Sequence, residues 1–294
     1  MQDYLVTILL GIITGTLSRV VLLRLDYRMY PGYPHGYISH VALGFIASAL
    51  GAVAVPAILK PDYAAVTFLA LAAQQFRDIR SMERKTLESL EKTELVKRGN
   101  DYIEGISRTF EARNFLVMGT AFFTSLIYAF TSFFAAVIAG GLLIMLSWKF
   151  GSDKTIGDIC TVEPAEVSFK NTVLMIDDIS VMTVGLKEIR KKILQDALGV
   201  IIKPKSDYAW ATIHDVGQRQ AIAHTSAVLL GSKKDIDIPE FTPLARKDPD
   251  TGKVGLYIVP VQKDINLLIE AVKKCPVLET AKSRPISRGP AGQK

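Results

Sequence analysis

The chain has 294 residues, a net charge of +6, 22% charged residues and a mean hydropathy of +0.25. That average suits neither an ordinary soluble domain nor a bare set of membrane helices, because two compositions meet near residue 150, apolar before it and mixed after it. The modest positive charge lacks basic patches interleaved with aromatics, which argues against nucleic acid as a partner and suits contact with anionic headgroups.

The N-terminus, Met1-Gln2-Asp3, has no basic n-region, so the first apolar stretch is expected to be retained as a span and not cleaved. A spanning helix needs about 20 apolar residues. Residues 4–23 meet that length and carry Gly11 and Gly15 as a small-residue face for close helix packing. Residues 38–59 meet it as well and stop at Lys60-Pro61-Asp62. The segment 63–76 is short for a span. Residues 115–148 suit a hairpin of two short spans turning near Phe130-Thr131-Ser132.

Lys and Arg collect at alternate ends of these segments. Arg19, Arg24 and Arg28 mark the first, residues 77–113 follow the third, and Lys149 begins the next basic stretch. Basic residues stay on the cytoplasmic side. The pattern predicts about five spans, with the N-terminus outside and the C-terminus in the cytoplasm. Residues 77–114 form a cytoplasmic helical insertion in this reading. Its run from Arg80 to Glu94 has Met82, Leu87 and Leu90 at near-helical spacing among dense mixed charge. The expected fold is an α-helical multi-pass membrane domain over 1–150, followed by a cytosolic α/β domain over 151–281. Strand-like runs there (159–162, 167–169, 173–176, 200–203, 209–213, 254–259) alternate with helical ones (186–198, 218–230, 263–274). Residues 282–294 have the Pro, Gly and basic content of a disordered tail. The only cysteines, Cys160 and Cys275, lie in the second half without metal or redox spacing and read as structural thiols. No cofactor or metal is expected.

The run Asp101-Tyr102-Ile103-Glu104-Gly105-Ile106 is similar to the signature of the YIEGIA family of endospore-forming Firmicutes, with Ser107 where that name has Ala. Arg108 to Asn114, Tyr33 to Tyr37 and Gly217 to Ile222 resemble the family too. The resemblance implies a multi-pass protein of the cell membrane, or of a forespore or spore membrane. It carries over no established catalytic residue.

The most suggestive chemistry is a pair of carboxylates, Asp26 just past the first apolar segment and Asp78 just past the third. On a five-span topology both reach the cytoplasmic edge. Two close carboxylates can share one proton, so that one activates water while the other protonates a carbonyl. The stretch from Asp26 to Gly44 is loosely similar to the first-aspartate region of prepilin peptidases. Their second aspartate sits in Gly-x-Gly-Asp, whereas Asp78 has no such glycines and Ile156-Gly157-Asp158 has one but follows the last span. The arginines beside each aspartate (Arg24 and Arg28, Arg77 and Arg80) suit interfacial ion pairs instead, and as neighbours they would oppose the shared-proton state.

Other candidates have plainer readings. Asp177-Asp178 suits a turn. His214, Asp215 and His224 lack a third ligand at metal spacing. His35 and His40, with Tyr27, Tyr30, Tyr33 and Tyr37, read as an interfacial aromatic belt.

Two functions follow as expectations. One is a membrane-embedded aspartic endopeptidase using Asp26 and Asp78 on cytosolic protein substrates. The other is a non-catalytic membrane receptor or scaffold that recruits regulatory partners during sporulation or germination. The partners expected are the lipid bilayer and a cytosolic protein, and a homo-oligomer is compatible with either. A channel like the mechanosensitive channels of small conductance rests on fold-level likeness alone.

Overall fold

A computed structural model describes residues 4–26, 34–60, 63–92, 94–150 and 154–282. Tyr27, Arg28, Tyr30, Tyr33, Pro61-Asp62, the Gly151-Ser152-Asp153 stretch and the tail from 283 lie outside the described residues, as do the side chains of His35 and Arg77. The chain divides into two compact units. The first comprises Met1–Arg84 and Ser107–Asp153, and the second Lys85–Ile106 and Lys154–Lys294. The insertion expected over 77–114 therefore straddles the division, and only its middle belongs with the C-terminal unit.

The first unit is helical. It contains α1 (Leu5–Asp26), α2 (Pro34–Leu59), α3 (Tyr63–Arg77), the start of α4 (Ile79–Leu90), most of α5 (Asn100–Phe130) and α6 (Phe133–Phe150). Two helices, Leu5–Arg24 and Gly36–Leu59, are long and apolar enough to cross a membrane, and Phe133–Lys149 is a shorter apolar helix. The described helices thus support two candidate spans where about five were expected. The physical reasons are length and charge. The 15 residues of α3 reach about 22 Å at 1.5 Å per residue, short of a hydrocarbon core of about 30 Å. In α5 the apolar run starts only after Arg113.

Burial in this unit is inverted relative to a soluble core. Along α1 the buried stripe is Thr7, Gly11, Thr14, Gly15, Ser18, Arg19, Leu22 and Asp26, whereas Leu5, Leu9, Ile13 and Leu17 face outward. Small residues let the backbones approach. A Cβ on Gly15 would lie 2.6 Å from Ser48 Oγ, and one on Gly51 2.2 Å from the Met118 carbonyl oxygen. Several buried hydroxyls bond within their own helices, as Ser48 donates to the Gly44 carbonyl (2.7 Å) and Thr124 to that of Thr120 (2.8 Å), whereas Ser125 of α5 donates across to the Thr7 carbonyl of α1 at 3.0 Å.

The second unit mixes helices and sheet. After the short α7 (Ile156–Ile159) come β1 (Cys160–Ala165), β2 (Val167–Lys170), β3 (Val173–Ile176), β4 (Ile179–Thr183), α8 (Lys187–Asp196) and β5 (Leu198–Pro204). There follow α9 (Asp207–His214), α10 (Val216–Leu230), β6 (Leu244–Lys247), β7 (Val254–Ile258), α11 (Ile265–Lys274) and α12 (Glu279–Lys282). One sheet has the order β1-β5-β7-β6 and the other β2-β3-β4, with every pairing antiparallel. Leu174, Ile176, Val181, Ile201 and Tyr257 form the core where the two sheets meet. Residues 209–213, expected as a strand, are helical. Ser206 caps α9 by accepting a hydrogen bond from the Ala209 amide, and Ala209, Thr212 and Ile213 are buried at helical spacing. Two short strands escaped the sequence reading, β4 and β6. The latter, Leu-Ala-Arg-Lys, has little strand character of its own and is held by pairing with the fully buried β7.

Cys160 and Cys275 are free and buried, and burial pushes both thiols up to about 12. Neither thiol is therefore expected to react with a maleimide at neutral pH until the protein is denatured, when both should be labelled. Helix packing is tested by two alanines in detergent-solubilised protein. Gly51→Ala meets the α5 backbone and should cost about 1–3 kcal/mol, lowering the thermal midpoint. Gly119→Ala meets nothing within 4 Å and should leave the midpoint unchanged or raised.

Candidate functional site

Arg19 and Asp26 lie seven residues apart on α1, two helical turns, and so share its inward face. Arg19 Nη1 donates to Asp26 Oδ2 at 2.7 Å, and Arg113 Nη1, from α5, donates to Asp26 Oδ1. Arg113 also donates to the Leu22 carbonyl at 3.2 Å, placing a cation at the C-terminal end of α1 where the helix dipole favours it. The other side of Arg19 meets α2, with Nη2 3.2 Å from His40 Nδ1. A guanidinium only donates, so His40 accepts there. In the neutral ring the proton then sits on Nε2, which faces Glu83 Oε1 at 3.8 Å. Phe110 closes the cluster, with the Arg19 guanidinium carbon 5.3 Å from its ring centroid and the His40 ring at 4.6 Å. Gly44 makes the room, since a Cβ there would fall 2.4 Å from Arg19 Cγ.

The result is a buried chain of polar groups, Glu83–His40–Arg19–Asp26–Arg113. Arg19 is 0% exposed, Asp26 3% and Arg113 3%. Two guanidiniums take one oxygen each of a single carboxylate. That arrangement occupies both of the oxygens that a shared-proton pair would need. Asp78 is exposed at the junction of α3 and α4, where its carbonyl accepts from the Met82 amide at 3.0 Å. Among the described residues no hydrogen bond joins Asp26 to Asp78.

Sequence reasoning singled out Asp26 with Arg24 and Arg28 as its neighbours, of which Arg28 lies outside the described residues. Arg24 is exposed, whereas the partners are Arg19 and Arg113. His40, expected in an interfacial belt, is buried in the cluster. The signal that could have found it is the polar stripe Thr7, Thr14, Ser18, Arg19 and Asp26 at helical spacing.

The remaining candidates resolve into structural roles in the second unit. Asp177, at φ +48°, turns the chain between β3 and β4 and accepts from the Glu166 amide at 2.8 Å. Asp158 caps α7 by a reciprocal box with Thr155. Asp215 caps α10 by accepting from the Gln218 amide. The His214 ring lies 4.2 Å from that of Trp210, and burial lowers its pKa. The signature residues Tyr102, Ile103 and Ile106 are buried anchors. The Tyr102 amide donates to Gln220 Oε1 at 2.9 Å, and its ring meets that of His224 edge-on. His224 Nδ1 donates to the Val96 carbonyl at 3.0 Å in its neutral form, which burial and Arg98 both favour.

Residues 7–288 match the family described as YIEGIA protein. The chain is 41% identical over 285 residues to a protein of Bacillus subtilis (strain 168) described as "Uncharacterized protein YphB", covering 97% of this chain and 96% of that one. No solved structure matches the chain.

The cluster makes a sharp stability prediction. Arg113→Ala leaves Asp26 half-paired in a buried site and should destabilise the protein by about 3–5 kcal/mol, read as a lowered denaturation midpoint in detergent. Asp78→Asn, on the surface, should leave that midpoint where it is. Equal midpoints for the two variants would show that the cluster carries no stability.

Proposed function

The chain belongs to the YIEGIA family of Firmicutes proteins, and from that premise we propose that it is a multi-pass membrane protein acting as a receptor or scaffold. In this reading its second unit lies on the cytoplasmic side and recruits a protein partner during sporulation or germination. The observation that carries the membrane reading is the inverted burial of the first unit. It extends beyond the two longest apolar helices. In α5 the buried face holds Ser107, Thr109, Arg113, Asn114, Thr120, Thr124 and Ser125 beside Phe110, Val117 and Ala121, while Phe115, Leu116 and Phe123 face outward. In α6 Phe134 is 77% exposed, and Ile138, Leu142 and Met145 accompany it. Such a surface is costly in water and matched to lipid, whose hydrocarbon leaves packing and polar contacts to hold helices together. The turn at Thr131-Ser132 between α5 and α6 supports their reading as a hairpin of short spans.

A non-catalytic role is supported by the engagement of Asp26 with two arginines, which gives the carboxylate a structural task. One observation favours the competing reading, an aspartic endopeptidase using Asp26 and Asp78: an aspartate buried inside a membrane-type helical interior is usually retained for function. That reading requires Arg19 and Arg113 to release Asp26.

Two experiments test the proposal. Single cysteines at Lys60, Ser132 and Lys97 are labelled with an impermeant maleimide in intact protoplasts. On a five-span topology the first two should label and the third only after permeabilisation, and the reverse pattern at Ser132 overturns it. The exposed Asp78→Asn variant then separates the functions. Unchanged partner recruitment and unchanged substrate protein levels in sporulating cells support the scaffold. Accumulation of an uncleaved protein with the variant still folded supports the peptidase.

A further inference from the structure

Within the second unit, a cleft of about 480 Å³ opens at the head of α10, walled by residues 96–99, the first turns of α10 and the approach to β6. Four cationic side chains line it, Lys97, Arg98, Arg219 and Arg246, and no carboxylate does among the described residues. They are not equivalent. Arg98 is committed to Glu91 in a buried ion pair, with its backbone amide also donating to the Glu91 carboxylate. Arg246 uses Nε on the Val181 carbonyl at 3.1 Å, and its side chain is exposed. Lys97 is exposed at the rim.

Arg219 is the least satisfied. Its Nη1 makes one long contact, 3.4 Å, with the Ala245 carbonyl, and its buried Nε has no hydrogen-bond partner among the described residues. Burial, then the like charge of Arg246, push the Arg219 guanidinium below its ordinary pKa, while Asp215 and Asp101 act the other way. Holding a half-buried guanidinium beside a second one is unfavourable until an anion enters between them, and planar guanidiniums match phosphate oxygens two at a time.

The rest of the wall is preset. Gly99 has φ +91°, and a Cβ there would come 2.6 Å from the Gln220 side chain, whose Oε1 is fixed by the Tyr102 amide. Val96, Pro243 and Leu244 supply apolar wall. A phosphate, with three free oxygens, can meet Arg219, Arg246 and the rim Lys97 together, whereas a carboxylate has only two.

We propose that this cleft binds a phosphomonoester dianion on a small organic molecule, with Arg219 and Arg246 gripping the phosphate and the apolar wall taking the body. The assignment concerns the second unit alone and stands whether the protein is a scaffold or a peptidase.

The full chain in nonionic detergent is titrated calorimetrically with phenyl phosphate and with inorganic phosphate. Saturable single-site binding of phenyl phosphate, tighter than that of inorganic phosphate, is expected. Arg246→Gln, at an exposed position, should weaken it at least about tenfold, as should Arg219→Gln, while Lys170→Gln on β2 should bind as the unaltered chain does. Circular dichroism checks that the variants are folded. Absence of saturable binding up to about 10 mM of either probe, or unchanged binding by a folded Arg246→Gln, overturns the proposal. Vesicles containing phosphatidic acid separate the sources of the phosphate. With the chain reconstituted into them, phenyl phosphate binding equal to that in neutral-lipid vesicles supports the small-molecule assignment, whereas loss of that binding only in the phosphatidic acid vesicles shows that the lipid headgroup occupies the cleft and overturns it.

Discussion

The helical unit is organised around one carboxylate shared by two guanidiniums. Asp26 binds Arg19 from its own helix and Arg113 from α5, and Arg19 reaches on to His40 of α2. Three helices are therefore tied at one depth by groups that cannot be left unpaired without a cost of several kcal/mol. Around that point Leu22 and Phe110 pack with Ala47, Phe76, Ile79 and Val117, while Gly, Ser, Thr and Ala elsewhere along the helices bring backbones close. The polar lock adds to that packing a requirement for one register, because a slip of one helix past another would leave Arg19, Asp26 or Arg113 buried without its partner.

The second unit is stabilised in the ordinary way, by apolar side chains between two antiparallel sheets and by capped helices. Its distinctive element is the segment 85–106, remote in sequence from the rest. That segment brings Glu91, Arg98 and Tyr102 against α10, so the residues that resemble the family signature serve as anchors. Their burial explains why no chemistry could be read from them. The groups with chemical potential lie next to them, on the first turns of α10.

What the sequence made legible follows from how local each feature is. The first two apolar helices, the turn at Thr131-Ser132 and the small-residue face of Gly11 and Gly15 depend on runs of neighbouring residues, and all were readable. The caps that make α9 a helix depend on Ser206, a single hydroxyl, and were overridden by a strand-like composition. Arg113 lies 87 residues from Asp26, and nothing within either segment announces the other. His40 was misassigned because an aromatic cluster masked its alignment with Arg19. The Arg219 cleft escaped notice because its cations come from three segments far apart in sequence, which only the fold brings together.

The interleaving of the two units bears on synthesis. The ribosome delivers residues 85–106 before the whole of 107–153, yet their seats in the second unit (Gln220, His224, Thr280) emerge last. Tyr102, Ile103 and Ile106 must therefore wait, with their apolar surface uncovered, while a hairpin's worth of chain is inserted or packed. During that interval the nascent segment presents an aggregation-prone surface that a chaperone or the membrane itself could shield. Slower elongation between residues 107 and 230 is expected to lengthen that interval, a consequence of the interleaving that the finished fold does not display.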